Sequence, residues 1–240
     1  YTLYGNGTSE QKDTLLIGNA LIGMYTNCGA LSKAQQIFDC LETPDVVSWT
    51  TLIAAYSRVG KDKKVVDLFE KMIGEGIESD LVTFTVVLNA CSHLALLDKA
   101  QIYFESMSTR CGFMPTQEHH SCMVDLFGRA GSLANALTII NDMPIPANAT
   151  LWHTLLGACR KWANVKLGKL AFNQAVQLDN GYSAAYILMA NIFAAAGMKE
   201  DAEMVEAMKF KYDYSKEQEN IVQADISVYD HLFFPGIEIL

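Results

Sequence analysis

The apolar residues of this chain recur at helical spacing in pairs of short runs. The clearest pair lies between residues 46 and 80, where the two runs are Leu52, Ile53 and Tyr56, then Val65, Leu68, Phe69 and Met72. Spacings of three and four residues place such side chains on one face of a helix. Gly60 lies between the runs, where a chain that leaves one helix and enters the next needs positive φ. The pattern predicts two short amphipathic helices joined by a turn.

The same unit recurs along the chain, and two independent markers give the same steps of 31, 35, 36, 32 and 34 residues. The marker in the second helix is a mostly small residue: Ala34, Val65, Ala100, Ala136, Gly168 and Ala202. The marker in the turn is Gly29, Gly60, Ala95, Gly131, Ala163 and Gly197. Hairpins repeated at this period bury their apolar faces by stacking on neighbours. We therefore predict an all-α, right-handed superhelical solenoid of about six helix-turn-helix repeats.

Composition narrows the functions that such a repeat protein could have. The 240 residues are 50% hydrophobic and 19% charged, which suits an ordered structure, and no apolar run is long enough to span a membrane. The net charge of −9 argues against a generic phosphate-binding surface. The six cysteines include no C-x-x-C pair, so we expect small buried residues in a reducing compartment.

The repeat steps also predict how the chain is divided. Residues 1–14 would be the remnant of a preceding repeat, and the opening sequence, which shows no targeting segment, is typical of the interior of a longer protein. Four repeats follow, at 15–45, 46–80, 81–116 and 117–148. Two further hairpins are expected at 149–214. The pattern leaves open whether the atypical tail, 215–240, forms a strand or a docked helix.

Several unlike segments occur in the order found in one known family. The segments NALIGMYTNCG, VVSWTTLIAAYSRVG, TFTVVLNACSHLALLDKA and HHSCMVDLFGRAG, with their alternating lengths, resemble plant pentatricopeptide-repeat (PPR) proteins of the PLS class. The segments LWHTLLGACRKWANVKLG and AAYILMANIFAAAGMKEDAEMV resemble the two E motifs that follow the last repeat in that class. The tail lacks the Ser-Trp segment that usually comes next in the family.

The resemblance implies that two residues of each repeat read one RNA base. They are the fifth residue and the last residue: Asn19 with Asp45, Thr50 with Asp80, Thr85 with Thr116, and Ser121 with Asn148. All eight are short hydrogen-bonding residues, which suits contacts with Watson–Crick edges. Each of them, considered singly, is equally well explained as a helix cap or a turn residue.

The family's code assigns a base to most of these pairs. Asn19 with Asp45 would favour uracil, Thr50 with Asp80 guanine, and Ser121 with Asn148 adenine, while Thr85 with Thr116 lies in a long repeat where the code is weak. The expected site is 5′-U-G-x-A-3′, parallel to the array. An apolar second residue sandwiches the bases in this family; here Leu16, Val47 and Val82 fit, and Glu118 does not.

The resemblance further implies recognition of single-stranded RNA for C-to-U editing in a mitochondrion or chloroplast. No H-x-E deaminase signature is present, so no catalysis, cofactor or metal is expected, and a DYW-type deaminase would act in trans. Multiple-organellar-editing-factor proteins would bind the repeats. The E motifs could dock a partner or cap the last repeat. Alternatives are RNA binding for splicing, stability or translation, and a tetratricopeptide-like protein scaffold that does not bind RNA.

Overall fold

Every regular element in the described part of the chain is a helix. The computed structural model describes residues 9–179 and 183–210. The helices are α1 (Ser9–Asn27), α2 (Leu31–Asp39), α3 (Val46–Arg58), α4 (Asp62–Gly74), α5 (Leu81–Leu94), α6 (Leu97–Thr109), α7 (Gln117–Arg129), α8 (Leu133–Asn141), α9 (Ala149–Lys161), α10 (Val165–Leu178), α11 (Ser183–Ala195) and α12 (199–210). The prediction of an all-α fold built from helix-turn-helix repeats is confirmed.

The chain divides into two compact units, Tyr1–Ile145 and Pro146–Leu240. In the first unit, α1 contacts α3, α3 contacts α5, and α5 contacts α7, so that the first helices of successive hairpins form one layer. Each first helix also packs on the second helix of its own hairpin, as α3 does on α4. The layer of first helices carries the fifth residue of each predicted repeat. In the second unit, α9, α10 and α11 pack on one another.

The turns inside the hairpins follow the predicted steps. Positive φ occurs at each predicted turn residue, from 49° at Ala163 to 81° at Gly131, and the full set is Gly29, Gly60, Ala95, Gly131, Ala163 and Gly197. At Gly60 the next residue, Lys61, donates its N–H to the carbonyl of Tyr56, which closes the end of α3. The left-handed residue therefore reverses the chain direction as expected.

The small residues of the second helices lie where hairpins pack most closely. Ala34, Ala100 and Ala136 are fully buried. A Cβ atom built on Gly168 would lie 3.0 Å from Ile192 Cδ1, so an alanine there would require the end of the Ile192 side chain on α11 to shift. Aromatic side chains complete the contact between hairpins, as where Phe38 meets Trp49 edge-on at 4.6 Å between ring centres.

Two sequence expectations differ in detail from the structure. α1 begins at Ser9, six residues before the expected start of the first repeat, so residues 9–14 continue the helix that carries Asn19. Of the six cysteines, all expected to be buried, Cys91 and Cys159 are buried and Cys111 and Cys122 are half-buried, but the expectation is wrong for Cys28 and Cys40, which are exposed. Both lie just beyond the end of a helix, at α1 and α2, where the chain turns at the surface. The tail, 215–240, lies outside the described residues.

Candidate nucleic-acid interface

The last residue of each predicted repeat caps the first helix of the next hairpin. Asp45 Oδ1 accepts from Ser48 N at 2.9 Å, Asp80 Oδ1 from Thr83 N at 2.7 Å, and Asn148 Oδ1 from Leu151 N at 3.0 Å. Thr116 is the corresponding N-cap of α7. Short polar residues are favoured here because they satisfy N–H groups that the helix leaves without partners. Capping therefore accounts for the residue type at all four positions. A base could be read only by side-chain atoms that the cap does not use.

The first reading pair is in direct contact. Asn19 Nδ2 donates to Asp45 Oδ1 at 3.1 Å, although the two residues are 26 positions apart in sequence. Ser48 Oγ lies against the other end of the amide, Asn19 Oδ1. The contacts that Asp45 makes with the side chains of Asn19 and Ser48 both use Oδ1, which leaves acceptor capacity on Oδ2. Asn19 and Asp45 are both half-buried, so a base could reach them.

The second reading pair meets through a third hydroxyl group. Thr50 Oγ1 lies 3.5 Å from Asp80 Oδ2, which is long for a hydrogen bond between oxygens, and 2.6 Å from Thr83 Oγ1. Thr83 Oγ1 in turn donates to Asp80 Oδ1 at 2.8 Å. The structure thus brings Thr50 and Asp80 to one place, with Thr83 between them.

The third pair is separated by a histidine ring. Thr85 Oγ1 lies 3.1 Å from His119 Nε2, and Thr116 Oγ1 lies 2.8 Å from His119 Nδ1. Burial lowers the pKa of His119 below its ordinary value, although the hydrogen bond to the Leu81 carbonyl acts in the opposite direction. Since Thr116 N donates to Nδ1 at 3.1 Å, the neutral ring carries its proton on Nε2.

The fourth pair falls in two different units. Ser121 lies half-buried on α7 in the first unit. Asn148 lies in the second unit, where it is exposed and caps α9. Their combined reading of adenine stays a prediction.

The second residue of three repeats is an exposed aliphatic side chain. Leu16 is 70% exposed, Val47 51% and Val82 57%, as a base-sandwiching role requires. Glu118 occupies the same position on α7 and is also exposed. Thr116 Oγ1 donates to its carboxylate at 2.5 Å, and this bond lowers the pKa of Glu118. Glu118 therefore places a negative charge where the other repeats offer apolar surface.

Two of the first helices, α3 and α5, carry little charge, while α1 and α7 carry three charged residues each. α3 has a single charged residue, Arg58 in its last turn, and α5 has none apart from His93, whereas α4 has six: Asp62, Lys63, Lys64, Asp67, Glu70 and Lys71. Partial burial raises the pKa of Asp45, but hydrogen bonds from Ser48, Asn19 and Val47 outweigh it and leave that pKa below its ordinary value. Asp45 is therefore an anion, and an acceptor, at neutral pH.

Sequence reasoning missed the third residue of each following helix. Ser48, Thr83 and His119 are almost fully buried, and each contacts both the cap and the fifth residue of the preceding repeat. A signal was available in the sequence, because a polar residue three places after a helix cap is typical of a capping box. The contact with the preceding repeat could not be read from that spacing.

The second unit presents different residues at the corresponding positions. His153 takes the place of a reading residue on α9, and burial lowers its pKa despite opposing contributions from Ala149 and Asp179. Ile187 takes that place on α11 and is 47% exposed. Across residues 9–179 and 183–210, no three His, Cys, Asp or Glu side chains are grouped so that they could hold a metal ion. None of the helices in these ranges is long and apolar enough to cross a membrane.

Stacked helical hairpins with short polar residues at one end of each first helix define a helical-repeat protein. Models of known families match this chain in three places: the PPR repeat family at residues 44–93, the PPR repeat at 82–111 and the E motif at 162–216. The chain therefore belongs to the pentatricopeptide-repeat proteins.

Named relatives and solved structures agree with this assignment. A chloroplastic PPR protein of Arabidopsis thaliana is 42% identical over 80% of this chain and 23% of its own length. A mitochondrial one from the same plant is 40% identical over 83% of this chain and 26% of its own length. The chain thus spans about a quarter of these relatives. Maize PPR10 shares the fold, with 21% identity and a TM-score of 0.63 over 80% of this chain and 29% of PPR10.

Proposed function

We propose that this chain recognises a specific single-stranded RNA, with one base read by each pair of residues on the first helices. The observation that carries the proposal is the pairing itself. Asn19 meets Asp45, and Thr50 and Asp80 both contact Thr83, beside the exposed side chains of Leu16, Val47 and Val82. Hydrogen-bonding groups next to apolar surface are what reading and stacking of a splayed-out base require.

The comparison with PPR10 supports RNA as the ligand. PPR10 has been solved in complex with an 18-nucleotide psaJ RNA element, and that structure matches 82% of this chain and 28% of the PPR10 chain with a TM-score of 0.51 and 19% identity. Because α3 and α5 carry few charges, affinity at these two helices would come from base contacts more than from phosphate neutralisation.

The finer part of the proposal is C-to-U editing by a PLS-class factor. The E motif at residues 162–216 supports it, and the names of relatives, chloroplastic and mitochondrial, support an organelle as the location. In this proposal the second unit recruits a DYW-type deaminase in trans, and multiple-organellar-editing-factor proteins bind the repeats. The alternative functions, RNA binding for splicing, stability or translation, would require RNA binding by the first unit but no recruitment of a deaminase.

The test is binding of the chain to a short RNA that carries U-G-x-A, compared with a scrambled RNA of the same composition, at low salt. We expect tighter binding of U-G-x-A. Equal binding of the two RNAs would contradict base reading, and no binding of either would favour a protein scaffold of tetratricopeptide type.

Recruitment is tested separately, by adding a purified DYW-type deaminase to the chain and an RNA with a cytidine downstream of U-G-x-A. Conversion that requires the chain would support editing. RNA binding without conversion would favour the alternative functions.

A further inference from the structure

Each reading pair in the first unit contains a third, hidden member. Ser48 and Thr83 are fully buried and His119 is 1% exposed, yet each is polar and contacts the fifth residue of the preceding repeat. A residue that served only as a helix cap would not need that second contact. The hydrogen bonds around these residues determine which atoms of the reading pair remain available to a base.

The direction of the hydroxyl protons can be deduced around Thr83. Its hydroxyl group donates to the carboxylate of Asp80 at 2.8 Å, and a carboxylate can only accept. The contact of 2.6 Å between Thr83 and Thr50 must then be donated by Thr50. The one hydroxyl proton of Thr50 is used in this hydrogen bond to Thr83, so Thr50 Oγ1 can only accept a hydrogen bond from a ligand. With Asp80 Oδ2, the pair presents two acceptors.

Two acceptors match the Watson–Crick edge of guanine, where N1–H and the N2 amino group are both donors. Adenine presents an acceptor at N1, which would face a lone pair of Thr50 or Asp80. The preference of this pair for guanine over adenine thus depends on Thr83, because an unconstrained Thr50 hydroxyl group could donate as well as accept.

Ser48 imposes a different arrangement on the first pair. The Asn19 amide nitrogen donates to Asp45, so its oxygen, which faces Ser48, can only accept. The Ser48 hydroxyl proton lies between this oxygen, at 2.5 Å, and Asp45 Oδ1, at 2.9 Å. The second hydrogen on Nδ2 remains a donor and Asp45 Oδ2 an acceptor. This combination matches uracil, which offers a carbonyl acceptor beside the N3–H donor. Without Ser48, an amide that turned over would present its oxygen beside Asp45 Oδ2, and two acceptors suit guanine rather than uracil.

We propose that, for the first three reading pairs, the third residue of the following repeat is a positioning residue that sets the donor or acceptor character of the pair. This inference rests on the proposed RNA-reading function and adds a determinant of base choice that the two reading residues do not contain. His119 extends it to the third pair, where its Nε2–H points at Thr85 Oγ1 and the Leu81 carbonyl, and Thr85 also donates to Leu81.

The test replaces Thr83 with valine, which keeps the branched shape and the backbone cap bond but removes the hydroxyl group. Thr83→Ser is the matched control, because it retains that group. The RNAs are U-G-x-A and single-base variants at the first or second base. We expect T83V to reduce the preference for guanine over adenine by roughly 3- to 10-fold, the worth of one hydrogen bond, with T83S and the first-base preference unchanged.

Other outcomes separate this inference from the proposed function. If wild type prefers guanine and T83V keeps the same ratio, whether or not all affinities fall together, Thr83 is structural and the inference is overturned while RNA reading stands. A wild-type chain without base preference overturns both. Circular dichroism checks folding. If T83V is unfolded, Ser48→Ala is measured at the first base, where a reduced preference for uracil over guanine supports the inference and an unchanged preference overturns it.

Discussion

At the scale of single residues, the structure assigns two tasks to the same side chains. Asp45 and Asp80 end a loop and begin a helix, and each uses Oδ1 for the cap. Oδ2 retains acceptor capacity, so capping and reading do not compete for the same atom. Residue type at these positions is therefore constrained by folding first, and base preference has to arise from the fifth residue and its buried neighbour.

Glu118 gives a prediction at this scale. We expect Glu118→Val to raise the affinity for U-G-x-A RNA by about 3- to 10-fold, because the change restores apolar surface at the stacking position, removes a negative charge and frees the Thr116 hydroxyl group. The measurement is a binding titration at fixed salt.

Glu105→Val is the matched control for Glu118→Val, since Glu105 is an exposed acid on α6, in a second helix. It should leave affinity almost unchanged. Equal gains from both variants would show that net charge, and not the stacking position, was responsible.

His119 predicts how stability depends on pH. Its pKa is lowered in the folded protein, so the unfolded chain binds the proton more readily. The contribution of His119 to the free energy of unfolding is full above the ordinary pKa of about 6.5 and declines as pH falls towards the folded pKa. Protonation would also place a hydrogen on Nδ1, against the N–H of Thr116.

We therefore expect His119→Gln to flatten the loss of stability between about pH 7 and pH 5, as measured by urea denaturation at several pH values. An identical pH slope in wild type and His119→Gln would contradict the assignment of a neutral, buried ring.

At the scale of elements, the turns and the helix crossings follow from local chemistry. Gly60 takes φ of 68°, and a Cβ atom added to it would have no neighbour within 4 Å, so an alanine there would meet backbone strain and no clash. Ala95 and Ala163 already bear that strain at the same position. An L-residue at this turn position therefore lowers the free energy of unfolding without preventing the fold.

A pair of glycine variants tests this account of the turns. Gly60→Ala should lower the free energy of unfolding by about 1 kcal/mol, because an L-residue is disfavoured in the left-handed region. Gly23→Ala, inside α1 and also with no atom near the new Cβ, should raise it by about 0.5–1 kcal/mol. Denaturant titration measures both, and the same sign for the two variants would contradict the local explanation.

The elements were largely predictable because their signals are local. The recurring turn residues, from Gly29 to Gly197, and the recurring small residues, from Ala34 to Ala202, predicted the positions of the hairpins. The helical periodicity of the apolar residues predicted the helices. The site was predictable only in part. The resemblance to the family implied that Asn19 and Asp45 act together, but the fold had to bring Thr83 into contact with Thr50, 33 residues away, before its role could be recognised. The sequence also did not show that Cys28 and Cys40 lie just beyond helix ends, where they are exposed.

At the scale of the whole molecule, the central claim is that the layer of first helices reads bases and that two of these helices, α3 and α5, are nearly free of charged residues. The chain has a net charge of −9, yet α3 and α5 together contain a single Lys, Arg, Asp or Glu, Arg58. The acidic balance therefore does not decide against RNA. The chain also spans about a quarter of its relatives, so the first unit would supply a few bases of a longer recognition site.

The most direct test of this claim is a change of specificity at one base. Binding of wild type and Thr50→Asn would be measured against U-G-x-A and U-U-x-A RNA at low salt, with Thr138→Asn, an exposed threonine on α8, as the control. The account predicts that wild type and T138N prefer guanine at the second base and that T50N prefers uracil, because an amide donor beside Asp80 reproduces the arrangement of Asn19 and Asp45. Unchanged preference in T50N would contradict the assignment of Thr50 and Asp80 as a base-reading pair.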